Sequence, residues 1–177
     1  MIEDADAPLV ARARGGSAEA ASALARAHWR SAWRVARGIT GDDGIAEDVV
    51  QESLVAALRG LDRFDPRRGT FAAWLHRITV NRAIGEVRRR RRRPTAPEED
   101  GRDAVAADPP PGSNDAFLDA VAELKPDHRA VVVLRYGLDY TPTEIAGVLD
   151  LPVGTVNSRL ARALTILRET MESPHVR

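Results

Sequence analysis

Trp74, Arg77, Asn81 and Arg88 can fall along one stripe of the segment FAAWLHRITVNRAIGEVRRRRRR. An indole ring stacks on an unpaired base, an amide reads a base edge, and guanidinium groups hold the backbone phosphates. The segment ends in six consecutive arginines, Arg88 to Arg93. Such a block repels itself, cannot be buried and is drawn to polyanions. The competing readings are a Trp74 that serves a core, a merely solvated basic end, and an arginine tract that is a localisation signal.

A second set lies near the C-terminus. Thr155, Asn157, Ser158, Arg159 and Arg162 occupy the start of a short amphipathic segment. Asparagine suits adenine, arginine suits guanine or phosphate, and small hydroxyls suit phosphate or the thymine methyl edge. A third set, Asp48, Gln51, Glu52 and Val55, shares one helix face at spacings of three and four. Two carboxylates, a glutamine and an apolar edge fit docking on a basic helix, although a polar face can equally be a solvated one.

The elements that must hold these sets are all helical. Thr141 precedes Pro142 and stands three residues before Glu144, a capping box with proline at the first helical position. Ile145, Val148 and Leu149 form one apolar face. Asp150-Leu151-Pro152 then breaks the chain, and Val156, Leu160, Leu164 and Leu167 form the next buried stripe. Two short helices joined by so tight a turn predict a helix-turn-helix, whose second helix enters a major groove; an ordinary helical hairpin is the alternative. Upstream, Ser17 predicts an N-cap for a helix to about Gly38, with Leu24, Ala27, His28, Ala32 and Val35 as its packing stripe and Trp29 and Trp33 on an adjoining one. Ile45, Val49, Leu54, Leu58 and Leu61 mark the buried side of the next helix. Arg63, Arg67 and Arg68 line a loop punctuated by Pro66 and Gly69, after which Thr70 caps a helix with Phe71, Leu75 and Ile78 inward. Gly85 weakens that helix by up to about 1 kcal/mol.

Charge divides the chain. Residues 1–93 carry a net +6, residues 94–114 a net −4, and residues 115–177 a net −2. The middle segment holds five prolines and five acids without hydrophobic periodicity, which predicts an extended connector between two helical domains. Beyond it, Asn114 can cap a helix with Phe117, Leu118, Val121 and Leu124 inward, and Pro126 opens another that ends at Gly137. The absence of cysteine excludes disulfides and thiolate metal sites, and the four histidines show no ligand spacing. No nucleophile–base pair, paired carboxylates or glycine-rich phosphate loop suggests an enzyme or a cofactor. No apolar run is long enough to span a bilayer, and the acidic start MIEDADAP does not read as a signal peptide, so the expectation is a cytoplasmic protein without membrane insertion.

In order and spacing, AEDVVQES (46–53), FDPRRGTFAAWLHRITVNRAI (64–84), the arginine tract to 93 and EIAGVLDLPVGTVNSRLARAL (144–164) resemble the bacterial RNA polymerase sigma factors of the extracytoplasmic-function (ECF) type. The resemblance extends from about Leu9 to Glu169. It implies an all-α protein of two small domains: residues 1–93 for core polymerase binding and −10 recognition and melting, 94–114 a flexible linker, and 115–177 for −35 recognition. Asp48, Gln51 and Glu52 would dock on the β′ coiled coil of a core enzyme whose β subunit also contributes. Arg67, Arg68, Trp74, Arg77, Asn81, Arg82 and Arg88 would serve the −10 element and hold a flipped base. Asn157, Ser158 and Arg162, with Thr155 and Arg159, would serve the −35 element. The family also implies promoter DNA and, usually, an anti-sigma factor as partners. Gly85 stands where many relatives have aspartate, Asn157 where arginine is common, and Asp150 where such turns often have glycine. A helix-turn-helix regulator without sigma activity, or a helical adaptor on polymerase or RNA, accounts for only part of this pattern.

Overall fold

The computed structural model describes residues 5–92 and 120–172. The acidic connector 94–114, with Arg93, Asn114, Phe117 and Leu118, lies outside the described residues. Four helices make the first half: α1 Ala7–Arg14, α2 Ala18–Thr40, α3 Asp43–Arg59 and α4 Phe71–Arg92, with a short 3₁₀ turn Leu61–Arg63 before α4. Among the described residues, the second half opens on helical residues 120–123. It continues with α5 Pro126–Val132, a π turn Val133–Gly137, α6 Pro142–Leu149 and α7 Val153–Glu172.

Local chemistry sets the ends of these helices. Ser17 Oγ accepts from the Ala20 amide, Asp42 from Ile45 and Thr70 from Ala73. The capping box at α6 is complete, with Thr141 and Glu144 satisfying each other's backbone amides. Asp150 closes α6 in the left-handed region at φ 56°, and Val153 opens α7 after a three-residue turn. Gly85 does not interrupt α4, which continues to Arg92.

The buried stripes differ from the sequence expectation where helical periodicity is finer than a spacing of three or four suggests. On α7 the buried residues are Val156, Leu160, Ala163 and Leu167, while Leu164 is 39% exposed. At 3.6 residues per turn, spacings of four, three and four stay on one face, and the extra step at 164 leaves it. Ala27 on α2 is exposed for a related reason: Leu24, Ala32 and Val35 already define the inner face. On α4, Thr79, Val80 and Ala83 join Phe71 and Leu75 inside, and Ile78 sits at the margin.

The two halves share a core. Leu24, Val35, Ile39, Val50, Phe71, Leu75 and Val80 of the first half cluster with Val131, Leu134, Ile145, Val148 and Val156 of the second. A smaller cluster of Val121, Leu124, Val132, Ala163 and Leu167 holds α7 to the start of the second half. Gly38 marks the tightest crossing. A Cβ there would stand 2.5 Å from Val133 Cγ2, so only glycine lets α2 approach the π turn this closely.

Candidate nucleic-acid interface

Along α4, the side chains expected to meet a nucleic acid divide into two groups. Asn81 and Arg88 are exposed, as are Arg67 and Arg68 in the preceding loop. That loop is held by Asp65, whose carboxylate and carbonyl accept from the amides of Arg67 and Arg68 at 3.0 Å each. Trp74 belongs to the second group. Its ring lies 5.3 Å from Phe64 and 6.0 Å from Phe71, in an aromatic cluster that leaves it only half-buried. The indole is therefore part of a half-buried aromatic cluster rather than a free stacking platform. Arg77 and Arg82 are partly covered because each is paired: Arg77 with Asp150 at 2.9 Å and Arg82 with Glu52 at 2.6 Å.

The Arg82–Glu52 pair ties two of the expected surfaces together. Asp48, Gln51, Glu52 and Val55 are all exposed on α3, and Val55 keeps 46% of its surface in water. One exposed helix face thus sets a valine among two acids and an amide.

On α7, Asn157, Ser158 and Arg162 are exposed at the N-terminal end, and Thr155 and Arg159 are partly covered. Ser158 Oγ donates to the Thr155 carbonyl at 2.9 Å, which leaves its lone pairs outward. Arg159 approaches Asp127 at 3.7 Å, and the same Asp127 accepts from Arg88 of α4 at 2.8 Å. Sequence reasoning passed over Lys125 and His128. They line a shallow groove with Ala161, Arg162, Thr165 and Ile166, beside the recognition helix. His128 is held below its ordinary pKa, first by burial and then by Arg159, Lys125 and Arg162 around it. The signal could not be read along the chain, because these cations are brought together by the packing of α5 on α7.

Behind these surfaces a buried polar relay crosses between the halves. Ser31 Oγ donates to the His28 carbonyl at 3.1 Å, so toward His76 it has only lone pairs to offer. His76 must then donate from Nε2 to Ser31 at 3.0 Å and accept at Nδ1 from the Tyr140 hydroxyl at 2.8 Å. Burial first, and His28 second, lower the His76 pKa to about 4, which keeps the ring neutral and this tautomer intact. Burial and the nearby Glu144 raise Tyr140 to about 12, so its proton stays available as a donor. A second crossing is made by Arg129, 5% exposed, which donates to the carbonyls of Leu124 at 2.9 Å, Ile39 at 2.8 Å and Ala122.

Among the described residues, no group of histidines and carboxylates is placed to hold a metal ion. No helix among them is long and apolar enough to cross a membrane.

Residues 24–93 match the family description Sigma-70 region 2, and residues 114–167 match Sigma-70, region 4. The ECF RNA polymerase sigma factor SigL of Mycobacterium tuberculosis is 35% identical over 89% of this chain and 94% of its own length. The chain belongs to the ECF RNA polymerase sigma factors. Another relative, SigE of Mycolicibacterium smegmatis, is 38% identical over 82% of this chain, a match that spans 59% of that longer protein. The RNA polymerase sigma factor CnrH, solved in complex with the cytosolic domain of CnrY, superposes with a TM-score of 0.72 at 30% identity. That superposition covers 97% of this chain and 99% of CnrH, so it takes in both halves together. Within this family, α4 and the loop before it form part of region 2, and α6 and α7 form the helix-turn-helix of region 4.

Proposed function

We propose that this chain is a promoter-specificity subunit that binds core RNA polymerase, reads −35 and −10 elements and promotes strand opening. The observation that carries the reading is the joint presence of two separate grips on one chain. An exposed recognition helix begins at Val153, and an exposed amide-and-arginine surface runs from Arg67 to Arg88. A duplex reader alone has no use for the second.

The division of labour follows from the side chains. In the region 115–177, Asn157 reads a base edge, Ser158 and Thr155 take phosphate or methyl contacts, and Arg159 and Arg162 hold the backbone. Lys125 extends that hold, since its groove opens beside Arg162. In the region 1–93, Asn81 meets an unpaired base, while Arg67, Arg68, Arg77, Arg82 and Arg88 neutralise the separated strand and Trp74 offers the part of its ring that stays exposed. Opening costs a few kcal/mol for each unstacked base, and base capture with phosphate contacts offsets it. The exposed face of Asp48, Gln51, Glu52 and Val55 docks on a basic helical element of the polymerase, its β′ subunit by family resemblance. The chain itself performs no catalysis: the chemistry of RNA synthesis belongs to the polymerase. Its place of action is the cytoplasm, and, by family resemblance, an anti-sigma factor is its natural antagonist.

Run-off transcription over a genomic fragment library, with start sites sequenced, tests the reading. The chain plus core polymerase should initiate at a discrete set of sites sharing two elements, and neither component alone should do so. Initiation that is unchanged by adding the chain would overturn it.

A further inference from the structure

We infer that the outer face of α2 is a further binding surface for single-stranded nucleic acid, built of arginines with an exposed indole between them. The inference deepens the promoter reading above, on which the strand held there is the promoter strand separated at the −10 element. Arg26, Trp29, Arg30, Trp33 and Arg34 follow one another at steps of three, one, three and one. At 3.6 residues per turn these positions gather into one sector of about 140° on the helix. Leu24, Ala32, Val35 and Ile39 fill the opposite side and belong to the core. The three arginines are exposed, Trp29 keeps 36% of its surface in water, and Trp33 is half-buried against the core.

This face differs from an ordinary solvated one. Arg26 with Arg30, and Arg30 with Arg34, are like charges four residues apart, an arrangement that costs a helix stability. Elsewhere such cations are matched by acids: Arg12 with Glu19, Arg77 with Asp150, Arg82 with Glu52, Arg88 with Asp127 and Arg89 with Glu86. Among the described residues no carboxylate pairs with Arg26, Arg30 or Arg34. Trp29 then sets a large apolar ring in water between two unmatched cations, where it adds little to the core.

The chemistry selects the occupant. Guanidinium groups rooted about 6 Å apart along the helix can each take a phosphate of one strand. The indole needs the face of an unpaired base, which a duplex keeps inside its stack and an acidic peptide lacks. Position points the same way. His28, next to Trp29, packs on Phe71 with ring centroids 5.3 Å apart, and Phe71 follows Arg68 of the −10 surface by three residues. One turn further along both helices, Ser31 meets His76 at 3.0 Å, so α2 and α4 run side by side in the same direction. The α2 face thus starts beside the loop at which the −10 surface ends.

The full chain is titrated against a fluorescent oligothymidine of about twelve nucleotides, read by anisotropy at several salt concentrations. Arg26→Gln, Arg30→Gln and Arg34→Gln combined should weaken binding about tenfold or more and flatten the logarithmic salt slope by about two, since three phosphate contacts are lost. The urea midpoint of that variant should not fall, because two repulsive pairs are removed. The same exchange at Arg12, Arg59 and Arg168, all exposed and away from this face, should do much less. Trp29→Ala should weaken strand binding about fivefold or more at an unchanged slope, and Trp29→Phe should keep most of the affinity. Neither Trp29 variant should alter binding of a duplex. Wild-type affinity in Trp29→Ala, or an arginine loss no larger than that of the charge control, overturns the inference. So does an oligoglutamate peptide whose binding is lost with the same substitutions, which assigns the face to an acidic protein instead. In a second arm, a photoreactive benzoylphenylalanine in place of Trp29 is illuminated in the complex of chain, core polymerase and a promoter selected in run-off. It should crosslink to a separated promoter strand; crosslinks only to the transcript or to polymerase overturn that assignment. If run-off shows no promoter selectivity while the titrations behave as stated, the promoter reading fails and the α2 surface stands.

Discussion

Arg129 offers the sharpest test of how the two halves are held. It is a cation with 5% of its surface exposed, and its three hydrogen bonds all go to backbone carbonyls. Burial lowers its pKa, with Arg91 adding to the effect, and the arginine scale leaves it charged. Arg129→Met keeps the length and apolar stem but removes every donor. Each orphaned carbonyl costs about 1–3 kcal/mol, partly offset because the cation no longer has to be desolvated. A net loss of about 3 kcal/mol follows, equivalent to a fall of about 1–2 M in urea midpoint for a chain of this size. The location of the loss is as informative as its size. All three tryptophans, Trp29, Trp33 and Trp74, lie in the first half, so their fluorescence reports that half, whereas far-ultraviolet circular dichroism reports both. In the wild type the shared core makes the two transitions coincide. In Arg129→Met the dichroism transition should move to lower urea and separate from the fluorescence transition. Coincident transitions with a loss below about 1 kcal/mol would refute the role assigned to this side chain.

Acidification should weaken the same boundary. His76 binds its proton near pH 6.5 when unfolded and near 4 when folded, so the unfolded chain holds more protons between those values and stability falls as pH drops through them. The loss should reach about 2 kcal/mol at pH 5 and about 3 kcal/mol below pH 4; His76→Gln, compared by urea unfolding at pH 7.5 and 5, should lack that part of the dependence. Asn157→Arg should change the −35 sequences selected from a randomised promoter pool while leaving the −10 sequences as they were. Asp48→Ala with Gln51→Ala should reduce retention on immobilised core polymerase about tenfold or more, with an unchanged urea midpoint because both side chains are exposed. Lys125→Ala should weaken −35 binding equally for all sequences and flatten its logarithmic salt dependence by about one unit, since one phosphate contact is lost.

The helices, their caps and the exposed polar faces were legible in the sequence because their causes are local. A capping box closes within three residues, as Thr141 and Glu144 do, and an exposed helix face such as that of Asp48, Gln51 and Glu52 repeats every turn. The sequence by itself also determined the family, since region 2 and region 4 motifs stand in order along it. Where a stripe was misjudged, as at Leu164 against Ala163, a leucine outweighed an alanine in hydrophobicity, yet the helix period turned the alanine inward. What only the tertiary structure decided is how the two halves meet. The pairs that decide it, His76 with Tyr140, Arg77 with Asp150 and Arg129 with Ile39, are separated by 64, 73 and 90 positions. No periodicity links such residues. A buried arginine at 129 and a neutral histidine at 76 look in sequence like any solvated cation and any stray imidazole. Their roles arise only when folding removes water from around them and leaves carbonyls and hydroxyls of the opposite half as the available partners.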